Sequence, residues 1–475
     1  MGCHYAGASL PAPDVGCQYS ARVGLGARLL RAPPTLKDPA FVAGLKLFTL
    51  KYLTSHLTPL REIMTFDEYL QKSHYSRKRC RSMRSYWQSR GGMPGVNSND
   101  KKGFVKGERY SKYKYPRGIH ACSLDDKCLL GRVVKSVEES VYSQLSQHFL
   151  KHIPTRLRAR EIRSRLERSG SVYLGLDVTS WESSITVDIS SAVEIPLFTH
   201  MCGDLCPDEL KYICRQILTK HKIHYRDFSV KVSGGRMSGD LWTSLGNGFI
   251  NLMIVKYVCA SLGYDADGVV EGDDGLFRCD GPIPTEDMFA RLGFSSRCEV
   301  FHDVGEAGFC KMKFDSCDCQ VTDAVERLVK FGWTRYVGAS QKCRINLLYT
   351  KALSLKSEFP QCPMLTAFAD YVIRVVLGVP GRRRLVFDED RGWTARKIET
   401  ATAWMEARGV IRSQTRLFYE HLFGVTVDEQ LSVESYFDSL TAIVPISHPA
   451  LKSRIPDVWF DNWDRYVTGE LAADW

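Results

Sequence analysis

Apolar and polar positions alternate most tellingly over 269–277, Val-Val-Glu-Gly-Asp-Asp-Gly-Leu-Phe, where two hydrophobic arms flank a Gly-Asp-Asp-Gly centre. The pattern predicts a tight β-hairpin with adjacent carboxylates at its tip. A buried strand is expected over Ser171 to Val178, rich in β-formers and carrying Asp177 near its end. Ile223 to Val232 alternates around Arg226-Asp227 and reads as a further hairpin. After the turn at Gly234-Gly235, a helical period runs from about Leu241 to Leu262. Residues 65–166 read as mostly helical, interrupted at Gly91-Gly92-Met93-Pro94-Gly95. Beyond Gly332 the pattern is helical to the end, apart from a loop from Gly378 to Arg384. Gly7 to Pro34 is Gly/Ala/Pro-rich, which predicts a loose start. Phe41 to Leu53 is amphipathic and basic, suited to packing on the main body or to lying on a membrane surface. Strands and helices mixed in the middle, with helices at the end, indicate an α+β fold.

Composition adds scale and a partner. At 475 residues and 44% hydrophobic, the chain can bury a large core and divide into two or three lobes. Its net charge of +10 is modest, but the distribution is not. Fourteen Lys and Arg lie between Lys72 and Arg117 against only Asp100 and Glu108, interleaved with Tyr75, Tyr86, Trp87, Phe104, Tyr110, Tyr113 and Tyr115. Basic residues neutralise phosphates and aromatic rings stack on bases, so this stretch points to nucleic acid. Sixteen cysteines without a repeating interval, and no visible secretory signal, indicate reduced thiols in a cytosolic setting. Cys298, His302, Cys310, Cys317 and Cys319 could hold a structural zinc, but paired C-x-x-C knuckles are missing and buried free thiols are preferred. No stretch reaches the ~18 apolar residues that a membrane span requires. Met1-Gly2-Cys3 hints at acylation, but Ala6 stands where the myristoylation pattern wants Ser or Thr.

Adjacent acids must share their charge with something, and a divalent cation is the usual solution. Two-metal phosphoryl transfer needs carboxylates from separate elements, and Asp177 with Asp273 would meet if their strands are neighbours. Asp274 is then an assisting ligand or holds the geometry. The bland reading of Asp177 is a helix N-cap. Glu182 shares a site with Asp177 only if the chain leaves the strand at Thr179-Ser180 and begins a helical turn. In Ser238-Gly239-Asp240-Leu241-Trp242-Thr243-Ser244-Leu245-Gly246-Asn247, the serine and glycine form a turn feeding a helix, and Thr243 and Asn247 project from one face. Their polar groups need partners, which a ribose hydroxyl or a neighbouring helix could supply.

These segments together resemble the RNA-dependent RNA polymerases of positive-strand RNA viruses, within them the tombus-like group. Asp177-x4-Glu182 is similar to the first palm motif, with Glu where the usual form has Asp. Ser238-Gly239-x3-Thr243-x3-Asn247 is similar to the second and Gly272-Asp273-Asp274 to the third. Leu292 to Glu299 resembles the fourth, Gly308-Phe309-Cys310-Lys311 the fifth. Phe104 to Glu108 and Lys114 to Ile119 resemble the basic fingers motif, and Tyr75 to Arg79 the basic segment near the template entrance. The resemblance covers roughly 65–330.

It implies a right-hand polymerase: an N-terminal extension (1–64), fingers (65–170), palm (171–190), a fingers insertion (191–235), palm again with an antiparallel sheet (236–330), and a helical thumb (331–475). The implied activity is RNA-directed RNA polymerase, a nucleotidyltransferase of viral RNA replication using two Mg²⁺ or Mn²⁺ ions on Asp177, Asp273 and Asp274. Glu182 and Asn247, supported by Thr243, would read the 2′-hydroxyl, while Ser238 and Gly239 would form a loop that shifts in translocation. Lys106, Lys114 and Arg117 would neutralise the triphosphate. Arg297 stands where the family has a lysine proposed to protonate pyrophosphate; a guanidinium is a poor acid, so electrostatic assistance or donation by Lys311 is expected. The arginine loop at Gly378 to Arg384 would support primer-independent initiation or simply touch RNA. Implied partners are template and nascent RNA, NTPs and other replication proteins, with no DNA. The implied setting is the host cytoplasm at membrane-associated replication complexes, attached through a partner. A reverse transcriptase is the rival among enzymes, and a nonenzymatic RNA-binding scaffold the rival outside them.

Overall fold

The computed structural model describes residues 2–32, 34, 37–73, 75–91, 99–334, 336, 338–387, 398 and 410–468. Its centre is a four-stranded antiparallel sheet built from β3 (Val172–Val178), β6 (Asp267–Glu271), β7 (Asp274–Cys279) and β8 (Ser296–Phe301), in the order β6-β7-β3-β8. β3 is central because both of its faces are covered, as its run of β-formers predicts. Helix Thr243–Ser261 packs against β6 and β7. It is buried nearly all round, from Leu245 to Cys259, because helices Pro39–His56 and Glu194–Cys202 close its other side. Such a helix carries little amphipathic contrast and holds its place by packing alone. Phe41, Val42, Leu45, Tyr52 and Leu53 of Pro39–His56 join that core, so this segment packs on the main body. Among the described residues, no helix is long and apolar enough to cross a membrane.

A second sheet has the order β2-β1-β4-β5, from β1 (Asp100–Val105), β2 (Gly118–Ala121), β4 (Lys220–His224) and β5 (Ser229–Ser233). β1 runs antiparallel to β2 and parallel to β4, so this sheet is mixed. The hairpin expected at Ile223 to Val232 is present, but the helical reading of 65–166 fails at β1 and β2. Its cause is Lys101. β1 does alternate in burial, yet one inward position is a lysine, which disguises the strand in a hydrophobic pattern. The glycine turn at 91–95 lies, but for Gly91, outside the described residues. A short hairpin, β9 (Lys313–Phe314) with β10 (Gln320–Val321), leads into the C-terminal helices. These run from Ala324–Phe331 through Gln341–Glu358 and Leu365–Gly378 to Asp457–Thr468.

The loose N-terminal start is corrected by the structure. Cys3, Tyr5, Ala8 and Leu10 are buried in the core of the C-terminal helices. Tyr5 bridges Ile446, Ser9 donates its amide to Trp459 O at 2.9 Å, and Asn462 Nδ2 donates to Ser9 O at 3.1 Å. The chain then crosses to the second sheet, where helix Gln18–Arg28 buries Ala21 and Leu25 against Val105, Ile223 and Met237. Small residues here permit close packing, which composition alone does not distinguish from disorder.

Candidate active site

The acidic edge is built by strand register. β3 and β7 pair as Leu174↔Phe277 and Gly175↔Leu276; continuing by two residues sets Asp177 level with Asp274. Glu271 pairs with Asp274 across β6 and β7, so Gly272-Asp273 is a two-residue turn. Gly272 has φ +64° and Asp273 does not share the left-handed region, the pattern of a II′ turn that suits twisted hairpin strands. Asp177, Asp273 and Asp274 all reach solvent at this edge. Asp274 nevertheless lies in a recess walled by protein, and burial, then the charges of Asp273, Glu271 and Asp177, push its carboxyl up to about 6, opposed by a hydrogen bond with Cys310. The acids therefore feel one another. Among the described residues, no three His, Cys, Asp or Glu side chains already form a metal-holding group.

β3 ends at Val178 and Ser180 turns the chain with φ +56° and ψ 59°, starting the short helix Trp181–Ser184. This is the break that brings Glu182 back toward the acidic edge. Glu182 is buried, with both carboxylate oxygens 3.3 Å from Arg28 Nη2 and one 3.9 Å from Arg117 Nε. Asn247, also buried, accepts from Arg236 Nε at 2.9 Å, and Arg236 pairs in turn with Glu194. Thr243 spends its hydroxyl on the carbonyls of Asp240 (2.9 Å) and Met237 (3.2 Å). In this state neither Asn247 nor Thr243 is bonded to Glu182; each is held by its own surroundings. Gly239 bridges Ala121 so closely that a Cβ would lie 2.5 Å from His120 O, which explains the glycine. Ser238 beside it is half-buried.

Below Gly239, Lys101 Nζ meets Asp240 Oδ1 at 2.7 Å with both side chains buried, and also donates to Gln216 Oε1 at 3.1 Å. Burial opposes the charge on Asp240, yet Lys101 holds its carboxyl below the ordinary value.

The basic segment lines the same side. Lys106 pairs with Glu108 at 2.9 Å, and Arg117 lies 3.7 Å from Glu108. Arg117 also feels the charges of Glu182 and Asp273. Burial, followed by repulsion from Arg28 and Lys311, lowers the ammonium of Lys114 below its usual range. Arg28, Lys114, Arg117 and Lys311 therefore crowd one region. Lys311 comes from a turn in which Cys310 (φ +51°) and Lys311 (φ +63°) are both left-handed between the bridged Phe309 and Met312. Two positive φ values make this an I′-like turn, strained because neither residue is glycine.

Arg297 sits in β8 directly across from Asp177. Its side chain is 74% exposed and lies 3.5 Å from Glu299. Arg383 of the arginine loop donates to the carbonyls of Val379, Pro380 and Gly381, while Arg382 and Arg384 are exposed. The candidate zinc ligands have other partners: Cys310 faces Asp274, Cys319 Sγ bonds Gln361 Oε1 at 2.9 Å, and Cys317 Sγ bonds Gln414 Oε1 at 3.5 Å.

Two residues at this site escape sequence reasoning. Asn251 Nδ2 donates to Asp273 O at 2.9 Å, tying the II′ turn to helix Thr243–Ser261. Its signal was present, since 243, 247 and 251 continue one i, i+4 stripe. Arg28 had no signal, because a contact across 154 positions leaves no local mark.

Residues 128–337 match the family described as viral RNA dependent RNA polymerase. The chain is 25% identical over 361 residues to the RNA-directed RNA polymerase of Panicum mosaic virus, covering 69% of this chain and 34% of that protein. It is 24% identical over 391 residues to that of Maize chlorotic mottle virus, covering 75% and 38%, and 21% identical over 370 residues to that of Tobacco necrosis virus, covering 71% and 49%. The chain thus spans between about a third and a half of the length of these relatives.

Proposed function

We propose, for a chain whose residues 128–337 belong to the viral RNA-dependent RNA polymerase family, that it elongates RNA on an RNA template. The 3′-hydroxyl of the growing strand gives up its proton to water as its oxygen bonds to the α-phosphorus of an NTP, the bond from that phosphorus to the bridging oxygen breaks, and pyrophosphate leaves. The observation that carries this reading is the convergence of three acids on one sheet edge, with the Asp274 carboxyl raised by burial and then by its neighbours' charges. An all-oxygen donor set under mutual repulsion fits a hard divalent ion, Mg²⁺ or Mn²⁺. Asp177 and Asp273 would hold two such ions, with Asp274 assisting. Bound there, the ions would supply charge neutralisation for the attacking and leaving oxygens.

The chain's own residues do the positioning. Lys106, Lys114 and Arg117 face the triphosphate, and the planar, permanently charged Arg117 suits a bidentate phosphate contact. Glu182 and Asn247 read the ribose 2′-hydroxyl, with Thr243 supporting them from the start of the helix that carries Asn247. Ser238 and Gly239 form the loop that shifts during translocation, and Arg297 offsets charge on the leaving group. Divided as fingers (65–170), palm (171–190), fingers insertion (191–235), palm (236–330) and thumb (331–475), the molecule is a right hand preceded by an extension (1–64). Template, nascent RNA and NTPs are its partners; attachment to host membranes comes through another replication protein.

Purified chain on a heteropolymeric RNA template tests this. NTP-dependent extension is expected with Mg²⁺ or Mn²⁺, none with chelator, and none from Asp273→Ala. Extension that survives Asp273→Ala, or that prefers deoxynucleotides, would refute it.

A further inference from the structure

We infer that Arg28, on the N-terminal helix Gln18–Arg28, is a positioning residue for sugar recognition: it holds the Glu182 carboxylate where a ribose 2′-hydroxyl is read. The inference rests on the polymerase reading above and deepens it. Arg28 Nη2 lies 3.3 Å from both oxygens of Glu182, and the pair is largely shielded, with side chains 22% and 10% exposed. Glutamate is one methylene longer than aspartate, so at this position its carboxylate needs an outside partner to fix its rotamer. Arg28 supplies one from outside the short helix that carries Glu182.

The helix is fitted to the site along its length. Gly24 lies so close to Pro116 that a Cβ there would collide with Pro116 O, one residue from Arg117. Ser180, at the turn between Asp177 and Glu182, donates its hydroxyl to Ala27 O at 3.4 Å. Leu29 packs where a Cβ on Gly235 would sit, next to Arg236. One helix thus touches the basic segment, the acidic turn and the glycine turn before Ser238. Arg117, 3.9 Å from the same carboxylate, is too distant for a hydrogen bond and leaves the close contact to Arg28.

The test is primer extension by the full chain with matched NTP and 2′-deoxy-NTP, giving kcat/KM for each. Arg28→Ala is expected to lower kcat/KM for NTP about tenfold while that for the deoxynucleotide changes little, a loss of about 1.4 kcal/mol in discrimination. Arg28→Lys should recover part of the ratio. Gly24→Ala, which displaces the helix without removing the guanidinium, should shift the ratio in the same direction. Equal losses for both nucleotides in Arg28→Ala, with thermal unfolding unchanged, would overturn the assignment. So would a ratio unchanged from wild type. Absence of extension by the wild-type chain with either nucleotide would instead overturn the polymerase reading.

Discussion

Arg297 stands opposite Asp177 in the β3–β8 ladder, so the acidic edge has a guanidinium as its cross-strand neighbour. The side chain is exposed, and its contact with Glu299 at 3.5 Å is a weak surface pair, leaving it free to swing toward a leaving group. We expect Arg297→Lys to raise the single-turnover rate, because an ammonium can release a proton that a guanidinium keeps. Lys311→Ala should lower that rate if the chain's own donor is Lys311. No rise in the first variant together with no change in the second, by rapid-quench kinetics, would remove the case for proton donation here.

Asp274 carries a pH dependence with a definite sign. Its carboxyl stands at about 6 in the fold against 3.8 as the ordinary value. The folded state therefore keeps this proton longer than the unfolded chain. No penalty exists below about pH 4, it grows as pH rises toward 6, and it is complete above 6. Without divalent ions, Asp274→Asn should raise the unfolding temperature at pH 7.5 and lose that advantage toward pH 4. Mn²⁺ should stabilise wild type more than the variant at pH 7.5. A stability difference that ignores both pH and metal would contradict the clustered-acid account.

The buried Lys101–Asp240 pair is expected to be costly to break. Asp240→Ala leaves an ammonium enclosed beside Cys122 and Gln216, at a cost of about 3–5 kcal/mol. Lys101→Met combined with Asp240→Leu should recover most of that loss. Urea unfolding of the three proteins checks it; Asp240→Ala within about 0.5 kcal/mol of wild type would show that the pair is not desolvated.

Asn251→Ala should loosen the turn that presents Asp273. Losing a buried amide donor to Asp273 O costs about 1–2 kcal/mol of stability. Because the turn is displaced, kcat should fall by more than the change in KM. Asn251→Asp is a sharper probe, since it sets a carboxylate against a carbonyl. If both variants extend RNA at the wild-type rate, the clamp has no bearing on the acids.

How much was legible depended on whether the cause was local. The II′ hairpin and its acids showed in the letters because a period of two and one obligatory positive φ at Gly272 are local facts. The odd spacing of Asp177 and Glu182 made a break at Thr179-Ser180 the condition for a shared site, and Ser180 supplies it. β1 stayed hidden because Lys101 fills an inward position whose charge is balanced 139 residues away by Asp240. The ordered N-terminal segment stayed hidden because Tyr5 and Ser9 find their partners at Ile446 and Trp459. Arg28 belongs to the same class. Each of these three is a long-range pairing that no window of sequence contains, whereas Asn251 was visible in the 243, 247, 251 stripe.

The seating of residues 3–10 among the last helices has a consequence for biogenesis. The groove that receives them is lined by Ile446 and Trp459, which are made more than four hundred residues after them. Until Ile446 and Trp459 have been made, the burial of Cys3, Tyr5 and Leu10 is incomplete. Closing this core therefore waits on contacts between segments more than four hundred residues apart, a step slowed by the entropy of so long a loop.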